Sequence, residues 1–334
     1  MVWIEFIICV VIVIAASNVL SRYADVIAEK TQLGRAWVGA ILLAGVTSLP
    51  ELVSGVTAVS LLNAPNLAIG GIVGSNLFNL VLIAVMDLAY QPGSILSQAQ
   101  EGHVLSGGLS ILLMGLAVIS PLMGPILNGS GIMGVSFISF GIIIIYVFGA
   151  RLLARFQSKR VVEVLEQEAV QRHYDQISRR RTYVTFAVAG LVIVVAGAWL
   201  GSIADRIAAE TGLGRSFVGA FFLGVSTSLP EIAASLAAVR MGAIDLAIGN
   251  VLGSNLFNLL ILGLDDVFYR PGPLMADAGA SHNISIVAIV MMNALFLIGL
   301  TYKVMTKRFV VAWDTGAIAA VYVVAVALSY LLTR

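Results

Sequence analysis

The pentapeptide Thr-Ser-Leu-Pro-Glu occurs twice in this chain, as Thr47–Glu51 and Thr227–Glu231, each time inside a run of apolar residues. A carboxylate, two hydroxyls and a helix-breaking proline thus interrupt sequence that otherwise reads as membrane helix. A charged side chain at the centre of a bilayer costs about 3 kcal/mol or more, so such groups are functional by default. The same interruption in both halves points to one shared site built from two parts.

Hydrophobic residues make up 59% of the 334, charged residues only 11%, and the mean hydropathy is +1.00. A soluble core cannot absorb that much apolar side chain, whereas a polytopic membrane protein requires it. With about 20 helical residues needed per crossing, ten candidate spans emerge at roughly 2–22, 36–62, 66–88, 104–123, 131–152, 183–205, 216–240, 245–268, 283–302 and 310–332. The runs are too long and too uniformly apolar for the alternating strands of a membrane barrel. The first run lacks a basic leader and reads as a retained span. Cys9, the only cysteine, lies within it and is expected to pack as a small hydrophobe.

A net charge of +1 gives no reason to expect nucleic acid as a partner. The distribution of charge sets orientation instead. The segment after span five carries Arg151, Arg155, Lys159, Arg160, Arg172, Arg179, Arg180 and Arg181. If that side is cytoplasmic, only Arg206, Arg215, Arg270 and Arg334 of the 19 Lys and Arg fall outside. The positive-inside rule then places both termini outside and the 153–182 loop in the cytoplasm.

Residues 24–51 align with 204–231 at an offset of 180, and nine of the fifteen positions in 37–51 are identical to their counterparts. After one deletion the offset becomes 179, and Leu67 to Asn79 match Leu246 to Asn258 at ten of thirteen positions. The match runs on through Tyr90, Pro92, Gly93 and His103 to Tyr269, Pro271, Gly272 and His282. The chain therefore divides into a first five-helix repeat (1–152), a linker (153–182) and a second five-helix repeat (183–334). An odd number of spans per repeat inverts the second against the first, so equivalent motifs converge at the midplane from opposite sides. Within the linker, Val161, Val162, Val164, Leu165, Ala169 and Val170 suggest a short surface helix bridging the halves, beside the plainer reading of a solvated linker.

Pro50 and Pro230 each remove a backbone donor and break their helix. Glu51 and Glu231 follow directly, with Thr47, Ser48, Thr227 and Ser228 three or four residues earlier on the same face. The adjacent spans carry Gly70-Gly71-Ile72-Val73-Gly74-Ser75-Asn76-Leu77-Phe78-Asn79 and Gly249-Asn250-Val251-Leu252-Gly253-Ser254-Asn255-Leu256-Phe257-Asn258. There the Gly-xxx-Gly spacing allows close helix approach. Ser75 with Asn79, and Ser254 with Asn258, stand one turn apart. Carboxylate, hydroxyl and carbonyl oxygens together suit Na⁺ and Ca²⁺, and nothing in the set suits zinc or copper. Proline alone is often a kink, and Gly-xxx-Gly alone is usually packing. Duplicated acids beside duplicated polar motifs exceed what packing needs.

These paired motifs resemble the two alpha repeats of the sodium/calcium exchanger family, within the cation/calcium antiporter superfamily, and the likeness covers nearly the whole chain. The resemblance implies an all-α membrane protein of ten transmembrane helices in two inverted five-helix repeats, with broken helices 2, 3, 7 and 8 around a midplane ion site. It implies metal ligands at Thr47, Ser48, Glu51, Ser75 and Asn79, and at Thr227, Ser228, Glu231, Ser254 and Asn258. Backbone carbonyls are expected near Ala44 and Gly224, and spans one and six are expected to slide past the rest. The implied activity is exchange of Ca²⁺ for Na⁺ across the cell (inner) membrane. The ions are substrates, there is no cofactor, and a single chain suffices for transport.

Many family members have Asp where this chain has Asn79 or Asn258. Glu51 and Glu231 are then the only acids at the centre. Close like charges without a cation favour taking up a proton, so Ca²⁺/H⁺ antiport is the alternative coupling. A cation channel is a further alternative, but channels usually build their pore by oligomeric symmetry, whereas this chain carries its symmetry internally. An intramembrane hydrolase would need a nucleophile with a base or a metal pair, and no H-E-x-x-H is present. Asp87, Asp265 and Asp266 lie near span ends and read as solvated interfacial caps. His103 and His282 begin spans four and nine and read as interfacial too.

Overall fold

The computed structural model describes residues 2–90, 93–127, 131–132, 134–167, 174–210, 226–277, 282–305, 307 and 310–332. The first half consists of α1 (Val2–Thr31), a second span in pieces, α5 (Pro65–Ala89), the short α6 (Ile95–Gln98), α7 (His103–Leu127) and α8 (Phe137–Gln167). The pieces of the second span are α2 (Arg35–Trp37), a π-helical segment (Val38–Leu43), α3 (Ala44–Thr47) and α4 (Leu49–Ser60). A two-residue antiparallel ribbon, β1 (Gly131–Ile132) with β2 (Val135–Ser136), joins α7 to α8. The second half holds α9 (Arg179–Glu210), α10 (Leu229–Arg240), α11 (Ile244–Phe268), α12 (His282–Tyr302) and α13 (Trp313–Leu332).

Among the described residues six helices are long and apolar enough to cross a membrane, and the bent pair Arg35–Thr47 with Leu49–Ser60 makes a seventh. The apolar stretches of α7 and α13 are shorter, at His103–Ile119 and Trp313–Ser329. The first part of the expected seventh span, 216–225, lies outside the described residues.

The breaks expected at the prolines are present in the second span and at the described end of the seventh. The second span bends by 45° across Ser48. Ser48 (φ −92°, ψ 6°) and Ser228 (φ −85°, ψ 5°) adopt the same non-helical conformation, each just before a proline in the first turn of the next helix. A proline is well tolerated there because the first-turn N–H groups have no helical acceptor. Spans three and eight correct the expectation: α5 and α11 each run unbroken for 25 residues. Their only proline, Pro65, opens α5, and an interior glycine weakens a helix by only about 1 kcal/mol without breaking it.

The glycines of α11 serve close approach. A Cβ at Gly253 would lie 2.1 Å from the Ala40 carbonyl oxygen, so α11 meets the π-helical segment backbone to backbone. The counterparts of that surface on the seventh span, at 216–220, lie outside the described residues.

The first part of the linker is helical. Its hydrophobic and charged stretch continues α8 to Gln167, with no glycine or proline to interrupt it from 150 onward. Tyr174 then docks on the C-terminal end of α1. Its N–H donates to Glu29 Oε1 (2.9 Å), its hydroxyl donates to Asp25 Oδ2 (3.1 Å), and its carbonyl accepts from Lys30 Nζ (3.0 Å). Arg35 closes the same cluster on Asp25 (2.5 and 3.2 Å). Partial burial, then the nearby Asp25, push the Tyr174 phenol up from its ordinary range, keeping it a hydrogen-bond donor. Tyr174→Phe removes one such bond, worth about 1 kcal/mol, and is expected to raise the rate of limited proteolysis in the linker about fivefold.

The aspartates near the span ends are buried rather than solvated. Asp87 is fully enclosed and accepts from the Ile95 N–H (2.8 Å), the Ala312 N–H (2.9 Å) and the Thr315 hydroxyl (2.9 Å), while pairing with Lys307 at 3.1 Å. Asp266 accepts from the Leu274 N–H (2.5 Å) and the Ser136 N–H (2.8 Å). The chain folds back over each helix end and supplies donors that would otherwise be water. His103 is likewise buried, 3.1 Å from Asp245, and its counterpart His282 stands 3.3 Å from Asn66, the residue equivalent to Asp245.

Candidate ion-binding site

The two breaks place their polar residues against each other. Ser48 donates to Glu231 Oε1 across the halves (3.1 Å). On the other side Ser75 is 2.8 Å from the Ser228 hydroxyl and 3.4 Å from Glu51 Oε1, so a chain of hydroxyls links the second break to the first carboxylate. Glu51 is 6% exposed and Glu231 is fully buried, as are Ser48, Ser228, Ser254, Asn79 and Asn258.

The helices α5 and α11 meet over the site through amides. Asn76 Nδ2 donates to the Asn255 carbonyl (3.4 Å) and Asn255 Nδ2 to the Asn76 carbonyl (3.2 Å), a reciprocal pair at equivalent positions of the two halves. Asn258 Nδ2 donates to Asn76 Oδ1 (2.9 Å), which leaves the Asn258 oxygen unused. Thr47 bonds back to the Ala44 carbonyl (3.3 Å), which also accepts the Ser48 N–H (3.0 Å). Thr227 is buried in the turn before Ser228, its methyl group toward Gly201 of α9. Gly224 lies outside the described residues.

Several buried polar atoms here have no hydrogen-bond partner among the described residues: Glu51 Oε2, Glu231 Oε2, Ser254 Oγ, Asn258 Oδ1 and both side-chain polar atoms of Asn79. Buried polar groups are nearly always paired, and an unpaired carboxylate oxygen is the most costly of them. The unused atoms are, apart from one amide nitrogen, carboxylate, hydroxyl and amide oxygens, the donor set of a hard cation. Among the described residues no three His, Cys, Asp or Glu side chains converge.

The surrounding helices hold the breaks. Ser17 and Ser21 of α1 donate to the Pro230 (3.4 Å) and Ala234 (2.8 Å) carbonyls, while Gly197 of α9 lies against the Pro50 ring. Cys9 is buried between the same two helices and donates to the Ala196 carbonyl (3.0 Å), and Glu5 pairs with Arg206. Sequence reasoning passed over Asn76, Asn255 and Asn250. Asn76 and Asn255 stand in the duplicated motif and could have been found by asking which repeated polar residues had no assigned role. Asn250, which donates to Ser235 (2.9 Å), is replaced by Gly71 in the first half and left no such trace.

Comparison with known proteins gives a family and a fold. The sequence model of a family described as sodium/calcium exchanger protein matches residues 1–157 and 181–331. The inner membrane protein YrbG of Escherichia coli is 28% identical over 221 residues, 65% of each chain, so the match spans just under two thirds of that relative. The putative antiporter CaxA of Alkalimonas amylolytica is 26% identical over 289 residues, 83% of each chain. A solved structure of the sodium-calcium exchanger NCX_Mj superimposes with a TM-score of 0.73 at 20% identity, covering 98% of this chain and 99% of that one. That likeness establishes the fold.

Proposed function

The chain belongs to the sodium/calcium exchanger family, and on that premise we propose that it is a secondary active antiporter exchanging Ca²⁺ for Na⁺ by alternating access. The observation that carries this reading is the set of unpartnered buried oxygens on Glu51, Glu231, Ser254, Asn79 and Asn258. Ca²⁺ bridges the two glutamates, and its two charges match theirs. Oxygens of Thr47, Ser48, Ser75, Asn79, Thr227, Ser228, Ser254 and Asn258, with the carbonyls near Ala44 and Gly224, complete the shells of Ca²⁺ and of the Na⁺ ions that replace it. Transport adds no prosthetic group and no covalent step, and one chain holds the whole site.

The remaining topology belongs to the same proposal. Ten helices cross the bilayer as two inverted five-helix repeats, 1–152 and 183–334, in the cell (inner) membrane of a prokaryotic-type exchanger. Both termini face outward, and the 153–182 linker lies in the cytoplasm. The hydrogen bonds from α1 to Pro230 and Ala234, and the contact of α9 with Pro50, support α1 and α9 as the pair that slides. As they slide past the remaining helices, the opening moves from one membrane face to the other.

The coupling ion is the open choice, because with Asn79 and Asn258 the cage has no third acid. The test is uptake of radiolabelled Ca²⁺ into proteoliposomes under an imposed Na⁺ gradient, then under an imposed pH gradient. We expect the Na⁺ gradient alone to drive uptake. Uptake driven only by pH would make the protein a Ca²⁺/H⁺ antiporter with the same cage, and Ca²⁺ movement that neither gradient accelerates would point to a channel.

A further inference from the structure

Asp265 stands apart from the central cage. It lies on α11 two helical turns beyond Asn258 and on the same face. It is fully buried, and neither carboxylate oxygen has a hydrogen-bond partner among the described residues. What it meets is Gly55, one turn beyond Glu51 on α4: a Cβ there would lie 2.4 Å from Asp265 Oδ2. The pairing is confined to one half. The residue equivalent to Asp265 is Met86, and the residue equivalent to Gly55 is Ser235, which accepts a hydrogen bond from Asn250. The acid and the room for it therefore occur together on one side of the site.

Among the described side chains, the charged and titratable groups on the helices packed against α11 give Asp265 no counter-charge. They are Arg35 on α2, Glu51 on α4, Asp87 on α5, His103 on α7, Tyr146, Arg151 and Arg155 on the apolar part of α8, and Glu231 and Arg240 on α10. Asp245 and Asp266 share α11 itself, and none of these groups pairs with Asp265. A lone carboxylate without donors is untenable in a dry interior, whereas the neutral acid is tolerated. A bare Na⁺ or Ca²⁺ would need several more oxygens, and the glycine facing it offers no side chain.

We propose that Asp265 is a proton-binding site distinct from the central cage. It holds its proton while α11 packs on Gly55 and releases it when that end of the α4–α11 seam opens to water. On opening, the carboxyl O–H bond breaks, the electron pair stays on the carboxylate, and the proton passes to water or buffer. The seam lies toward the outer face in the orientation given above. Acid outside then favours the closed seam, and alkali outside favours opening.

Two measurements test this, and only the second rests on the antiport reading. Infrared spectra of the full chain at neutral pH with Ca²⁺ are expected to show a protonated-carboxyl absorption that both Asp265→Asn and Asp265→Met lose. Met is the residue at the equivalent position, so a fold that tolerates it has a precedent, and the amide band reports helix content in each variant. Identical carboxyl absorption in wild type and a folded variant would overturn the proposal. In proteoliposomes, acidifying the outer face should slow wild-type Ca²⁺ flux, at the limit of one proton by roughly tenfold per pH unit, and the variants should lose that dependence. An unchanged pH dependence in the variants also overturns it. If the cage assignment were wrong, flux would survive loss of Glu51 or Glu231 while the infrared difference still decided the role of Asp265.

Discussion

Replacing Glu51 or Glu231 by Gln should abolish Ca²⁺ transport while leaving the fold intact. Each glutamate uses one oxygen internally, on Ser75 for Glu51 and on Ser48 for Glu231, and leaves Oε2 without a partner. Gln can still accept the serine hydrogen bond, so the local packing survives. What it cannot do is supply the negative charge opposite a divalent cation in a buried site. Breaking a buried ion pair by removing one partner costs about 3–5 kcal/mol, or roughly two to three and a half orders of magnitude in affinity. Calorimetric Ca²⁺ titration of each variant should show that loss, and proteoliposome uptake should fall to background. Near-normal flux in either variant would remove that glutamate from the site.

The second large effect concerns a residue with no polar chemistry. Gly253→Ala is expected to destabilise the protein by about 1–3 kcal/mol or more, the usual cost of overpacking. The added methyl would sit 2.1 Å from the Ala40 carbonyl, a backbone atom that no rotamer change can move. Relief requires α11 to back away from the second span, and Ser254 is the next residue along. The variant should therefore unfold at lower temperature and bind Ca²⁺ more weakly, whereas Glu51→Gln loses binding with little change in unfolding. Comparing the two melting curves separates the ligand from the scaffold.

Much of this was legible in the sequence because the chain states it twice. The doubled Pro-Glu gave the breaks at Ser48 and Ser228, and the doubled Gly-Ser-Asn motif gave the residues gathered over them. Other features were not legible, for definite reasons. The breaks that the resemblance implied in spans three and eight do not occur, since neither helix has an interior proline, and the close approach expected of the glycines is seen in α11, where Gly249 and Gly253 meet the backbone at Ala36 and Ala40. The burial of Asp87 and Asp266 depends on chain that folds back eight residues later to reach each of them. A position near a helix end predicts water there unless that return is known. The π-helical turn at Val38–Leu43 lies in ordinary apolar sequence with no proline or polar residue to announce it.

The aspartates at the ends of α5 and α11 have one more consequence. Asp87, in the first half, holds the amide that precedes the last helix of the second; Asp266, in the second half, holds the amide that precedes the last helix of the first. In a homodimer such mutual exchange, in which a patch on one subunit meets the matching patch on the other, defines an isologous interface. Here both subunits are segments of a single polypeptide. Each half lends the other the carboxylate that its own closing helix needs, so neither could satisfy its buried amides if it folded alone.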